Sequence, residues 1–93
     1  MTAYVIVGLN PKNAEKLQAY SAAAAPIIAQ YQGEFLAKGE QTPLSGEYGY
    51  KVQVIIMFPS RALAEAWYFS PEYQALIPIR DEGMACHFQL VGE

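Results

Sequence analysis

The hydrophobic pattern changes period along the chain. From Thr2 to Leu9 the run TAYVIVGL is short, apolar and rich in β-branched residues, which predicts a strand. Asn10-Pro11 follows. Asn is a favoured N-cap and Pro suits the first helical position, so a helix is expected to begin there. Leu17, Tyr20, Ala24, Ile27, Ile28 and Tyr31 then recur at three- and four-residue steps, the mark of one buried helical face. Pro26 lacks a backbone N–H and predicts a kink or split near Ala22 to Ala25. Gly33 predicts the helix end.

Glu34 to Lys38 reads as a short strand, and the glycine-containing stretch Gly39 to Tyr50 as a loop or loose hairpin. Lys51 to Phe58 (KVQVIIMF) is the clearest strand. Pro59 ends it, and Ser60 is placed to cap a helix over Arg61 to Phe69, with Leu63, Ala66 and Trp67 on the buried stripe. Ser70-Pro71 opens a further helical turn, Glu72 to Ile77, which Pro78 limits. Ile79 to Gly83 then leads into a last strand, Met84 to Val91. The order β-α-β-β-α-β predicts an α+β, ferredoxin-like four-stranded antiparallel sheet with both helices on one face.

One sheet face should then be apolar and the other polar, if the second meets water. The strands do not divide so cleanly. Val52, Val54, Ile56 and Phe58 form one wholly apolar set, and Met84, Cys86, Phe88 and Leu90 another. These belong under the helices. The open face receives Gln53, Ile55, Met57, His87, Gln89 and Val91. Such a mixed surface suits a second sheet and a pocket enclosed between the two, since ligand sites are mostly apolar with a few placed polar groups.

Composition sharpens this picture. The chain has 93 residues, so residues 1–93 are expected to form one domain. Hydrophobic residues make up 53% and charged residues 16%, which is too apolar for disorder and leaves surplus apolar surface to cover. Net charge is −3 with no basic patch, which argues against nucleic-acid binding. The single cysteine, Cys86, excludes an intramolecular disulfide framework and a cysteine-rich zinc site; it reads as a core thiol. No apolar run is long enough to span a membrane, and Met1-Thr2-Ala3-Tyr4 lacks a basic leader segment, so a cytoplasmic location is expected.

Several segments resemble domain-of-unknown-function family DUF1330, in the dimeric α/β-barrel superfamily. The resemblance is carried by Phe58-Pro59-Ser60-Arg61-Ala62, Ala66-Trp67-Tyr68, Ser70-Pro71-Glu72-Tyr73-Gln74 and the following Arg80. Weaker matches lie at Ala3 to Val7, Tyr31 to Gly33 with Gly39, Leu44-Ser45-Gly46 and Leu90-Val91-Gly92. The chain departs from the family's double glycines at Gln32-Gly33 and Gly39-Glu40, and His87 stands outside the pattern. The resemblance implies a homodimer whose sheets close into a barrel. It supplies no reaction, although the superfamily includes cofactor-independent monooxygenases, muconolactone isomerase and haem-using enzymes.

The chemistry therefore has to be read from single residues. His87, the only histidine, is the candidate proton carrier. Arg80 is the candidate clamp for a substrate carboxylate, with an ion pair to Asp81, Glu82 or Glu72 as its structural alternative. Gln53, Gln89, Tyr4 and Tyr68 are candidate ligand contacts, while Trp67 belongs to the core. Tyr73 is placed, like Tyr68, at a pocket mouth or subunit contact. No metal-ligand spacing is present, so neither metal nor cofactor is expected. The leading expectation is a cofactor-independent oxygenase or isomerase acting on a small carboxylated or aromatic metabolite. A non-catalytic metabolite binder and a purely structural dimerisation module are the alternatives.

Overall fold

The computed structural model describes residues 2–92. Strand β1 (Ala3–Pro11) is followed by helix α1 (Ala14–Gln30), then by strands β2 (Glu34–Glu40) and β3 (Val52–Phe58). Three helices come next, α2 (Arg61–Tyr68), α3 (Pro71–Gln74) and α4 (Ile77–Gly83), before strand β4 (Met84–Gly92). The strands form one antiparallel sheet in the order β2-β3-β1-β4. This is the ferredoxin-like α+β architecture expected from the element order, with the second helical region divided into three.

Register divides the sheet into two faces. Val5, Val7 and Leu9 of β1 share the helix side with Val54, Ile56 and Phe58 of β3, and all six are buried. Tyr20, Ala24 and Ile28 of α1 pack onto them, as the helical spacing requires, together with Trp67 of α2 and Tyr73 of α3. The opposite face is open. It carries Tyr4, Ile6, Gln53, Ile55, Met57, His87, Gln89 and Val91.

Three local expectations give way to tertiary context. The strand β1 runs on through Asn10-Pro11, and Asn13 caps α1 instead, accepting a bond from the Lys16 backbone N–H. Asn10 is occupied elsewhere: its side chain donates to the Gly49 carbonyl at 2.9 Å and accepts from the Lys51 N–H at 2.7 Å. Pro26 does not split α1, which is unbroken to Gln30; its ring lies on the exposed side. Pro78 does not limit a helix but opens α4, where its missing N–H would have had no helical partner.

The end of α1 is a Schellman closure. Gln32, at φ 67°, takes the left-handed position, while the N–H groups of Gln32 and Gly33 return to the carbonyls of Ala29 and Ile28. Gly33 is required one residue later by space. A Cβ there would lie 2.6 Å from Ile28 Cγ2 and 2.7 Å from the Phe58 ring. Ser60 caps α2 as predicted, and Ser70 caps α3 through the Tyr73 N–H at 3.1 Å.

Candidate functional site

Helix α1 lies alongside α4, held by Gly83. A Cβ on Gly83 would come within 2.7 Å of the Leu17 nitrogen. All the described residues of β2 stay exposed, including Phe35 and Lys38 on its helix side. A cavity of about 230 Å³ opens between α1 and the sheet toward this edge. Its walls are mainly apolar, drawn from residues such as Val54, Ile56, Ile28 and Phe88. Tyr20, Ser21 and Lys38 bring the polar side chains, and Trp67 adds an indole.

Tyr20 connects this cavity to a buried charge. Its hydroxyl lies 2.7 Å from that of Tyr73. Arg80 Nη1 donates to the hydroxyls of Tyr73 at 3.2 Å and Tyr68 at 3.1 Å. Its Nε donates to Asp81 at 3.1 Å, and the guanidinium lies 4.9 Å from the centre of the Phe88 ring. Arg80 is only 8% exposed. Helix α4 explains its position, because Pro78 starts the turn that brings residue 80 back toward α3.

Burial dominates the electrostatics of the two linked phenols and pushes both upward from their ordinary value. On Tyr73 the hydrogen bonds shared with Tyr20 and received from Arg80 pull down without reversing the rise. Burial opposes the Arg80 charge, but its bonds to Tyr68, Tyr73 and Asp81 more than compensate, leaving it firmly cationic. The arrangement is a fixed cation behind neutral phenols. A chain of this kind polarises each successive O–H and strengthens the terminal donor.

Trp67 supplies a second unusual donor. It is 1% exposed, and its Nε1 is the one buried side-chain polar atom without a partner among the described residues. Leaving an indole N–H dry costs about 1–3 kcal/mol.

The structure joins only two of the predicted site residues by a hydrogen bond, and Gln89, though on the open face, borders with Tyr68 a second depression at the β4 edge. Arg80 and Tyr68 share the phenol network on the helix side. His87, Gln53, Gln89 and Tyr4 lie across the sheet from it on the open face, so His87 and Arg80 do not line a common cavity. Gln53 borders a shallow depression beside Ile55, and Tyr4 is 36% exposed. His87 stacks on Tyr50, with ring centres 5.8 Å apart. Tyr50 belongs to the segment that Asn10 pins against Gly8. Cys86 is half-buried rather than fully enclosed, with its thiol pushed up by burial.

Sequence reading assigned Tyr20 and Trp67 to the core and gave no role to Lys38. The available signal was a phenol within an α1 stripe otherwise made mainly of Leu, Ala and Ile. A hydroxyl on such a stripe must find a partner. Among the described residues, no group of three or more His, Cys, Asp or Glu gathers in a metal-binding arrangement. No helix among them is long and apolar enough to cross a membrane.

These features define a ferredoxin-like subunit with a cavity beneath its helices. The chain belongs to the family described as Domain of unknown function (DUF1330), which it matches over residues 2–93. No curated protein matches it in sequence. Among solved structures it is similar to RPA0582, a protein of unknown function from Rhodopseudomonas palustris. That match has a TM-score of 0.79 and 15% identity, and covers 97% of this chain and 80% of the other. It is also similar to SnoaB, a cofactor-independent oxygenase from Streptomyces nogalater, at TM-score 0.71 and 10% identity over 99% and 92% of the two chains. A dimeric ferredoxin-like protein of unknown function from Jannaschia sp. CCS1 matches at TM-score 0.67 and 16% identity, over 96% and 98%.

Proposed function

We propose that this protein is an enzyme that binds a small, flat, largely apolar carbonyl compound in the cavity beneath α1. Its proposed task is to stabilise the enolate that forms when a water or hydroxide entering from solvent takes the α-proton of such a compound and carries it back to solvent. The observation that carries this reading is the chain Arg80–Tyr73–Tyr20, which links a buried cation to the wall of an otherwise apolar cavity. Tyr20, hydrogen-bonded through Tyr73 to Arg80, donates to the carbonyl oxygen. That bond gains strength as negative charge grows on the oxygen, which is how a preorganised donor lowers a barrier. An enolate is the common requirement of isomerisation and of oxygenation without a cofactor. The likeness to SnoaB supports including the latter.

The open face has a separate proposed role. Tyr4 and Val91 are 36% and 54% exposed there, beside Ile55 and Met57. A second copy of the chain covers this face in our reading, sheet to sheet, which the dimeric Jannaschia structure supports. His87, Gln53 and Gln89 then become contacts between subunits.

The test uses β-tetralone, a compact bicyclic ketone. Deuterium entry at its α-carbon is followed by NMR, with and without protein, alongside oxygen uptake. Acceleration by the wild type that falls at least tenfold in Tyr20→Phe is expected, corresponding to about 1.4 kcal/mol of transition-state stabilisation. Equal exchange rates with and without protein would overturn the reading. Light scattering should give twice the chain mass; a monomer would remove the proposed sheet pairing.

A further inference from the structure

The six basic side chains of this protein are used unequally. Lys12 donates to the Asp81 carbonyl, Lys16 pairs with Glu82, Arg61 donates to the Gly92 carbonyl, and Arg80 holds the phenol network. Lys38 and Lys51 have no side-chain partner among the described residues. Lys51 lies outside the cavity lining, whereas Lys38 is part of it.

The position of Lys38 follows from register. It stands opposite Val54 on β2, so it projects on the helix side of the sheet. The bulge between Phe35 and Ala37 keeps Phe35, opposite Ile56, on that same side. Together they form the exposed rim of the cavity, one aromatic ring and one ammonium, with Phe35 53% exposed. Glu40 shares the face, opposite Val52, but makes no ion pair with Lys38.

Arg80 cannot serve the rim. Its Nη1 and Nε are committed to Tyr68, Tyr73 and Asp81, and it does not line the cavity. We infer that the ligand of this cavity is an anionic amphiphile, with a flat apolar body held inside and a carboxylate or comparable acid group paired with Lys38 at the rim. The inference rests on the proposed ligand cavity and adds the charge of the ligand. Lysine is suited to such a rim, because its stem lies along apolar wall while the ammonium stays in water.

A lysine on an edge strand also discourages strand-to-strand aggregation. That role alone would leave ligand affinity indifferent to residue 38, and the test exploits the contrast. Two nearly isosteric probes are used, β-naphthoate and β-acetylnaphthalene, which differ in charge. Calorimetry gives Kd for each against the wild type, Lys38→Met and Lys38→Arg, at low and high salt. Naphthoate should bind the wild type more tightly than the ketone. Lys38→Met should weaken naphthoate by roughly two- to fivefold, as for an exposed ion pair, and leave the ketone unchanged. Lys38→Arg should retain the preference, and added salt should shrink it. Ketone binding with no preference for naphthoate, or a preference that survives Lys38→Met, would overturn the assignment of Lys38 alone. Failure of both probes to bind the wild type would overturn the ligand cavity and this inference with it.

Discussion

The Tyr20–Tyr73 hydrogen bond should show up as non-additive stability. Replacing Tyr20 by Phe removes a buried neutral bond of 2.7 Å, yet the Tyr73 hydroxyl keeps its bond from Arg80. The cost should therefore be that of one such bond, about 1 kcal/mol. Replacing Tyr73 by Phe does more. It removes the same bond, strips one acceptor from a buried cation, and leaves the Tyr20 hydroxyl without its partner. Bonds to charged groups contribute about 1.5–3 kcal/mol, so a total near 3 kcal/mol is expected. In the double variant the stranded Tyr20 hydroxyl is gone. Its cost should stay near 3 kcal/mol, about 1 kcal/mol below the sum of the singles. Urea unfolding followed by circular dichroism measures all four proteins, with the slope m checked for constancy. Protein concentration is held fixed, because association contributes to apparent stability. Costs that add to within about 0.3 kcal/mol would refute the pairing.

Alkaline conditions should unfold the protein through the same phenols. The folded state raises Tyr20 and Tyr73 above their ordinary value of 10.0, so only the unfolded chain releases those protons just above pH 10. Stability should be level with respect to these groups below pH 10, then fall by up to about 1.4 kcal/mol per pH unit for each. An identical alkaline slope in Tyr20→Phe would refute it. Gly83→Ala should cost about 1–3 kcal/mol in thermal or urea unfolding, because the new Cβ meets backbone at Leu17 rather than a movable side-chain tip. Asn10→Ala should cost about 1 kcal/mol and speed hydrogen exchange at the Lys51 amide, which Asn10 Oδ1 accepts at 2.7 Å. Unchanged exchange there would show that Asn10 does not pin the segment.

Period alone determined much of this molecule. Alternation put Val54, Ile56 and Phe58 on the face that the helices bury, and the three-and-four spacing put Tyr20, Ala24 and Ile28 on the face that buries them. These are local constraints, because side-chain direction follows from backbone period. Ser60 capped as expected and Ser70-Pro71 opened its helical turn, since a cap needs only residues two or three positions away. Asn10 did not, because the Gly49 carbonyl and Lys51 N–H compete for its side chain from about forty residues away. Only tertiary structure decided the site. Arg80 meets Tyr68 and Tyr73 because α4 folds back on α3, and Tyr20 joins them across 53 residues of chain. The sheet itself separates His87 from Arg80, although seven positions apart in sequence both read as candidate site residues. Cavity position was equally out of reach. It depends on how α1 sits between α4, against which Gly83 lets it pack closely, and the β2 edge, and no pattern along either helix encodes that spacing.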